Sequence, residues 1–226
     1  QDLAEEVVRR VERTAFVPDD HLQMVVAKLE FSRGRIHSAL ETLEKIIVAD
    51  GAMAPRAVVE VIEKSFEHEI DIDKKTATLA AAFAKQFIGD EGSDQYHRAH
   101  IIGLAKTGQV SAALERYLWY VRQPKPKDHR QLLNDVTGLV TAQADDGAFL
   151  TYQAGITDKM LANLVDPVAV ESAGRMLSLG FTDMAARYLA ESEPSTRQRQ
   201  ILRGKIALVQ KNHLLTLKSL QGLTGP

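Results

Sequence analysis

His97 and His100 stand three residues apart in "SDQYHRAHIIGLAK". On a helix that spacing carries two imidazoles toward one side, as a transition-metal ion requires when further ligands complete the set. Nothing adjacent in sequence supplies a third ligand, because Glu91 and Asp94 are expected in the loop before the helix. The plainer expectation is one packed and one solvated histidine. Upstream, "EHEIDID" gathers Glu67, His68, Glu69, Asp71 and Asp73. In an extended segment Asp71 and Asp73 lie on one side, which suits an acid–base pair or a cation. A calcium loop, however, needs more oxygens and a turn glycine. Acids at this place more simply cap the helix that follows. An enzyme or metal-dependent protein using His97, His100, Asp71 and Asp73 is therefore the minor reading.

Other chemistry is excluded or lacks a motif. The 226 residues include no cysteine, so disulfides, thiolate metal sites and cysteine nucleophiles are ruled out. "GDEGSD" has two glycines but is acidic and would repel phosphate. There is no Gly-x-Ser-x-Gly elbow. A net charge of −2 and a pI near 6.4 remove the bulk electrostatic case for nucleic acid. No apolar run approaches the ~20 residues that span a bilayer, so no membrane insertion is expected. No catalytic residue, metal or cofactor is expected. The first residue is Gln1 and not methionine. That leaves a cytoplasmic protein or an exported one whose leader has been removed, with the compartment open.

The elements that carry these residues are helical. Ile36, Ala39, Leu40, Leu43, Ile46 and Ile47 recur at offsets of 3, 4, 7, 10 and 11, one face of an α-helix. Leu79, Phe83 and Phe87 repeat the beat four apart. "HEIDID" alternates too briefly for a strand and reads as a connector. Asp166-Pro167, Thr182-Asp183 and Ser195 mark helix starts. "RQPKPKDHR", with Arg122, Lys125, Lys127, His129 and Arg130, is a proline-stiffened, solvated connector. Tight turns are expected at Gly34, Asp71, Gly108, Gly147, Gly180 and Asn212, separated by 37, 37, 39, 33 and 32 residues. Each interval holds two helices. The expected organisation is a single array over 1–226: helix pairs at about 19–48, 54–88, 93–123, 128–164, 167–192 and 195–221, after an unpaired helix at 3–15. A period in the thirties with two helices per unit marks a helical solenoid.

The units also share a steric code. A shift of 74 residues carries Ile36, Ala39, Leu40, Leu43, Ile46 and Ile47 onto Val110, Ala113, Leu114, Tyr117, Tyr120 and Val121. A turn glycine allows positive φ. An alanine five residues later lets paired helices approach closely, and a large apolar residue four beyond it fills the next gap.

This spacing resembles the tetratricopeptide-repeat family. Its small–glycine–alanine–large pattern falls on Ala27, Gly34, Ala39 and Leu43, on Ile101, Gly108, Ala113 and Tyr117, and on Ala173, Gly180, Ala185 and Leu189. The family's usual tryptophan early in the first helix is missing. Its tyrosine near the end of that helix is replaced by Glu30, Leu104 and Met176. The resemblance implies an all-α, right-handed superhelix of about six antiparallel helix pairs. It implies a non-catalytic scaffold that binds a peptide or protein of mixed apolar and acidic character in a concave groove. In that register the groove is lined by His21, Met24, Lys28 and Phe31, by Gln95, Arg98, Ile102 and Lys106, and by Val170 and Leu177. The lysine–asparagine clamp of chaperone-adaptor members is absent. Trp119, about 180° from Val110 around its helix, is a candidate exposed anchor or a contact to a neighbouring repeat. A structural module of a longer protein is a further alternative, with self-association through the end "SLQGLTGP".

Overall fold

The computed structural model describes residues 19–189, 196–221 and 223. The helix expected at 3–15 lies outside them, as does the start expected at Ser195. Among the described residues there are thirteen helices and no strand. They group into two compact units, divided between Thr107 and Gly108.

The first unit holds α1 (Asp20–Ser32), α2 (Ile36–Ala49), α3 (Ala54–Glu67), α4 (Lys74–Gln86) and α5 (Ser93–Lys106). Sequence neighbours pack on each other, and α3 also packs on α5. Met24, Ala27, Leu40, Leu43, Ile46, Ala57 and Val61 form a buried apolar cluster where α1, α2 and α3 meet. Further along, α5 approaches α4 through Gly103. A Cβ there would stand 3.5 Å from both the Cα and the Cβ of Ala77.

The second unit holds α6 (Val110–Tyr120), α7 (His129–Gln143), α8 (Asp146–Ala154), α9 (Asp158–Leu161), α10 (Asp166–Ser178), α11 (Thr182–Tyr188), α12 (Arg197–Val209) and α13 (His213–Leu220). The interval 128–164, expected to hold one pair, contains three helices. Gly147 is not its turn. Asp145 caps α8 by accepting from Ala148 N at 2.8 Å, and Gly147 sits inside the helix. Likewise Val165 is the residue before α10, and Asp166 lies within its first turn.

The alanine positions behave as steric reasoning requires. Ala27, Ala39, Ala113, Ala173 and Ala185 are all fully buried. Gly34, Gly108 and Gly180 have φ of +73°, +77° and +86°, values that other residues adopt only at a cost. Two turns reach this geometry without glycine. Their left-handed residues are Glu69 (φ 57°) and Lys211 (φ 58°), rather than the expected centres Asp71 and Asn212. One hydrogen-bond pattern closes four turns. An amide donates to the carbonyl five residues back, in Arg35 to Glu30, Ile70 to Ser65, Phe181 to Met176 and Asn212 to Ala207. That is the Schellman closure of a helix C-terminus.

Candidate functional site

In the first unit the face shared by α1, α3 and α5 carries Lys28, Phe31 and Arg98 of the residues expected to line a groove. Lys28 of α1 pairs with Glu60 of α3 at 3.9 Å. Phe31 is half-buried, with the Lys64 ammonium 5.7 Å from its ring centroid. Lys64 also bonds Glu67 at 2.6 Å. Arg98 of α5 donates through Nε to Glu63 of α3 at 2.8 Å. His21 and Gln95 are exposed. The face is thus amphipathic, and each of its cations Lys28, Lys64 and Arg98 meets a carboxylate.

Two of the expected groove residues belong elsewhere. Met24 is 5% exposed and part of the apolar cluster, and Ile102 has no exposure. Both sit on the apolar stripe of their helices, where burial of a large side chain is worth ~1.5–3 kcal/mol, so the fold claims them. Lys106 is partly buried and its Nζ is enclosed without a hydrogen-bond partner. Burial lowers its pKa, against the opposing pull of Asp71 and Glu69. Val170 and Leu177 are partly buried on α10 of the second unit. Sequence reasoning missed the α3 contribution. Glu60, Glu63, Lys64 and Glu67 recur at offsets of 3, 4 and 7, a polar stripe that could have been read.

The residues proposed for chemistry do not assemble. His97 is 4% exposed and His100 partly buried, both on α5. Asp71 and Asp73 lie on the connector before α4. Among the described residues, no three His, Asp or Glu side chains converge as a metal requires. Asp73 instead caps α4, accepting from Thr76 N at 2.7 Å. Its hydrogen bonds with Thr76 hold its carboxyl below the ordinary value. Trp119 is half-buried, and the Arg116 guanidinium stands 3.8 Å from its ring centroid. One face of the indole is therefore covered within its own helix, by a cation–π contact.

The second unit exposes apolar side chains at its last hairpin. Leu208, Val209, Leu214 and Leu217 are 56%, 59%, 82% and 70% exposed, and α13 buries none of its residues. A cleft of about 450 Å³ beside them is lined by Leu189, Ile206 and Leu215, with Arg203 and Lys218 at its sides. No described helix is long and apolar enough to cross a membrane. Comparison with protein-family models, with curated proteins and with solved structures finds no match.

Proposed function

We propose that this chain is a non-catalytic scaffold of tetratricopeptide-like helix pairs, wound as a right-handed superhelix, that binds a protein segment along the α1–α3–α5 face. The observation that carries this reading is the strip Lys28–Glu60, Phe31–Lys64 and Glu63–Arg98. It supplies an aromatic anchor beside exchangeable ion pairs on preformed helices. Partly exposed pairs of this kind add little to stability, so they are available to be traded for a partner's charges. The expected ligand is an extended or helical segment with apolar and acidic side chains.

A peptide-display library selected against the full chain tests this. Selected peptides are expected to lose about tenfold in affinity with Phe31→Ala or Arg98→Ala. Binding indifferent to both substitutions, or mapping by hydrogen exchange away from α1, α3 and α5, overturns it.

The exposed leucines of α12 and α13 favour a second association surface. From Thr196 to Pro226 there is no Asp or Glu, whereas Arg197, Arg199, Arg203, Lys205, Lys211 and Lys218 are present. Two copies meeting by this end would set like charges together, which opposes a two-fold dimer. Sedimentation of the full chain at low and high salt checks the point, and a dimer abolished by Leu214→Glu would contradict the charge argument.

A further inference from the structure

A second concavity lies in the first unit, away from the α1–α3–α5 strip. It measures about 330 Å³ and is bounded by α2, α3, the connector Ile70–Asp73 and Thr76 in the first turn of α4. His37, Leu40, Glu41 and Glu44 of α2 line one wall at offsets of 3, 4 and 7, a single helix face. Asp71 and Asp73 stand on the connector, and Val61, Ile70 and Ile72 supply apolar lining. Four carboxylates therefore surround an aliphatic floor, and no Lys or Arg lines the cleft. Lys75 and Lys106 act on Asp73 and Asp71 only through space.

Ser65 gives an independent sign of a missing ligand. It is 1% exposed and lines the cleft from α3. Its backbone carbonyl is spent on Ile70 N, but its hydroxyl has no hydrogen-bond partner among the described residues. The hydroxyl is not sealed off: it borders the cleft, where a polar ligand atom can reach it. The volume lies at the small end of ligand pockets, ~300–1,000 Å³, which fits one long side chain.

We propose that this cleft receives a single arginine or lysine side chain presented by a partner protein. The aliphatic stem lies against Leu40, Val61, Ile70 and Ile72. The charged head sits between Glu41 and Glu44 on one side and Asp71 and Asp73 on the other. The Ser65 hydroxyl accepts one of its N–H groups. This is the way long cationic side chains bury their stems while keeping the head solvated or paired. Arginine is preferred, because its planar fork matches two carboxylates at once. The site goes beyond the scaffold reading, sharing with it only a protein partner. The two sites share α3 but use different residues of it, and the cleft has the opposite charge preference.

The test is an NMR titration of the full chain with acetyl-Leu-Arg-Leu-amide and with its citrulline counterpart, which keeps the shape and loses the charge. Saturable shifts are expected at Ser65, Ile72, Glu41 and Glu44 with the arginine peptide and not with citrulline. Glu44→Gln combined with Asp71→Asn should weaken binding about tenfold, and both positions are exposed, so the fold survives the change. Ser65→Ala should weaken it less. Phe31→Ala should leave it unchanged, which separates this site from the α1–α3–α5 face. Equal shifts with both peptides, shifts outside the cleft, or none at all would overturn the proposal.

Discussion

The two units solve the same packing problem with different materials. In the first, the α1–α2–α3 seam is apolar and small, and of its described buried residues only Ser65 and His97 are polar. In the second, Asn134, Thr137, Thr141, Gln153, Ser172 and Arg199 are all buried. They pair off across helices. Thr137 meets Tyr152 at 3.0 Å, Thr141 meets Ser172 at 2.8 Å, and Tyr188 donates to Gln153. Asn134 accepts from Val165 N and donates to Arg130 and Asn163 carbonyls. Arginines close helix ends. Arg175 donates to the carbonyls of Val140, Thr141 and Ala144 at the end of α7, and lies over the Phe149 ring. Arg199 and Arg203 reach Tyr188 and Leu189 at the end of α11. Shape complementarity tolerates many registers of similar energy, whereas a buried hydrogen bond tolerates one. The first unit is thus built to be filled, and the second to be matched.

The largest expected break in that comparison is at Asp166. Its carboxylate accepts from Thr196 at 2.7 Å and from the Arg199 guanidinium, which is 1% exposed. Asp166→Ala would leave that cation only the Tyr188 carbonyl, and because Asp166 is itself partly exposed the loss should be ~3 kcal/mol, the low end for a broken buried pair. Urea denaturation of the full chain should show the second unit unfolding first. Acid should do the same in part. Burial alone would raise the Asp166 carboxyl, but the bonds from Thr196 and Arg199 hold it below its ordinary value of 3.8. A depressed carboxylate stabilises above its unfolded pKa, and that stability is lost as pH falls through the folded value. The stability of Asp166→Asn should therefore fall less steeply below pH ~4 than that of the parent. Identical acid limbs would remove Asp166 from the account.

Next come the substitutions that distinguish filling from matching. Ala39→Leu in the first unit and Ala113→Leu in the second overpack fully buried positions, at ~1–3 kcal/mol each. No measurable loss would contradict the close-approach argument. Tyr152→Phe leaves the buried Thr137 hydroxyl without its partner, at ~1–2 kcal/mol, while Tyr152→Phe with Thr137→Val should recover most of the loss. Burial also raises the Tyr152 phenol, so it stays protonated at neutral pH. A double variant no better than the single one would mean the pair is held by packing alone.

What the sequence disclosed follows the same division. Apolar periodicity and turn glycines were legible because each is local: Leu43 and Ile46 lie on one stripe, and Gly34 announces its own φ. The charged face was half legible. Lys28 and Arg98 are legible as groove-lining residues, but their partners Glu60 and Glu63 lie 32 and 35 residues away, and no periodicity links them. The repeat-family register places Met24 and Ile102 in a groove, whereas the structure buries both in the apolar core. The polar core of the second unit was not legible, since Thr137 and Ser172 read as ordinary helix residues until two helices meet. The acidic cleft was half seen, as Asp71 and Asp73, without Glu41 and Glu44 opposite.

The smallest predicted effect concerns the turns, where the units agree. Gly34 and Glu69 occupy the same left-handed position in successive hairpins, closed by the same five-residue-back hydrogen bond. A non-glycine residue there pays ~1–2 kcal/mol of backbone strain, and glycine repays part of its gain by loosening the unfolded chain. Glu69→Gly should therefore raise stability by about 0.5–1 kcal/mol, and Gly34→Ala should lower it by a similar amount. Glu69 is exposed, so little packing confuses the comparison. It also lies one residue before the connector that walls the acidic cleft. If Glu69→Gly stabilises the fold but leaves arginine-peptide binding intact, turn and cleft are separable. If binding weakens as well, the left-handed residue is what holds Asp71 and Asp73 in place, and its strain is part of the site.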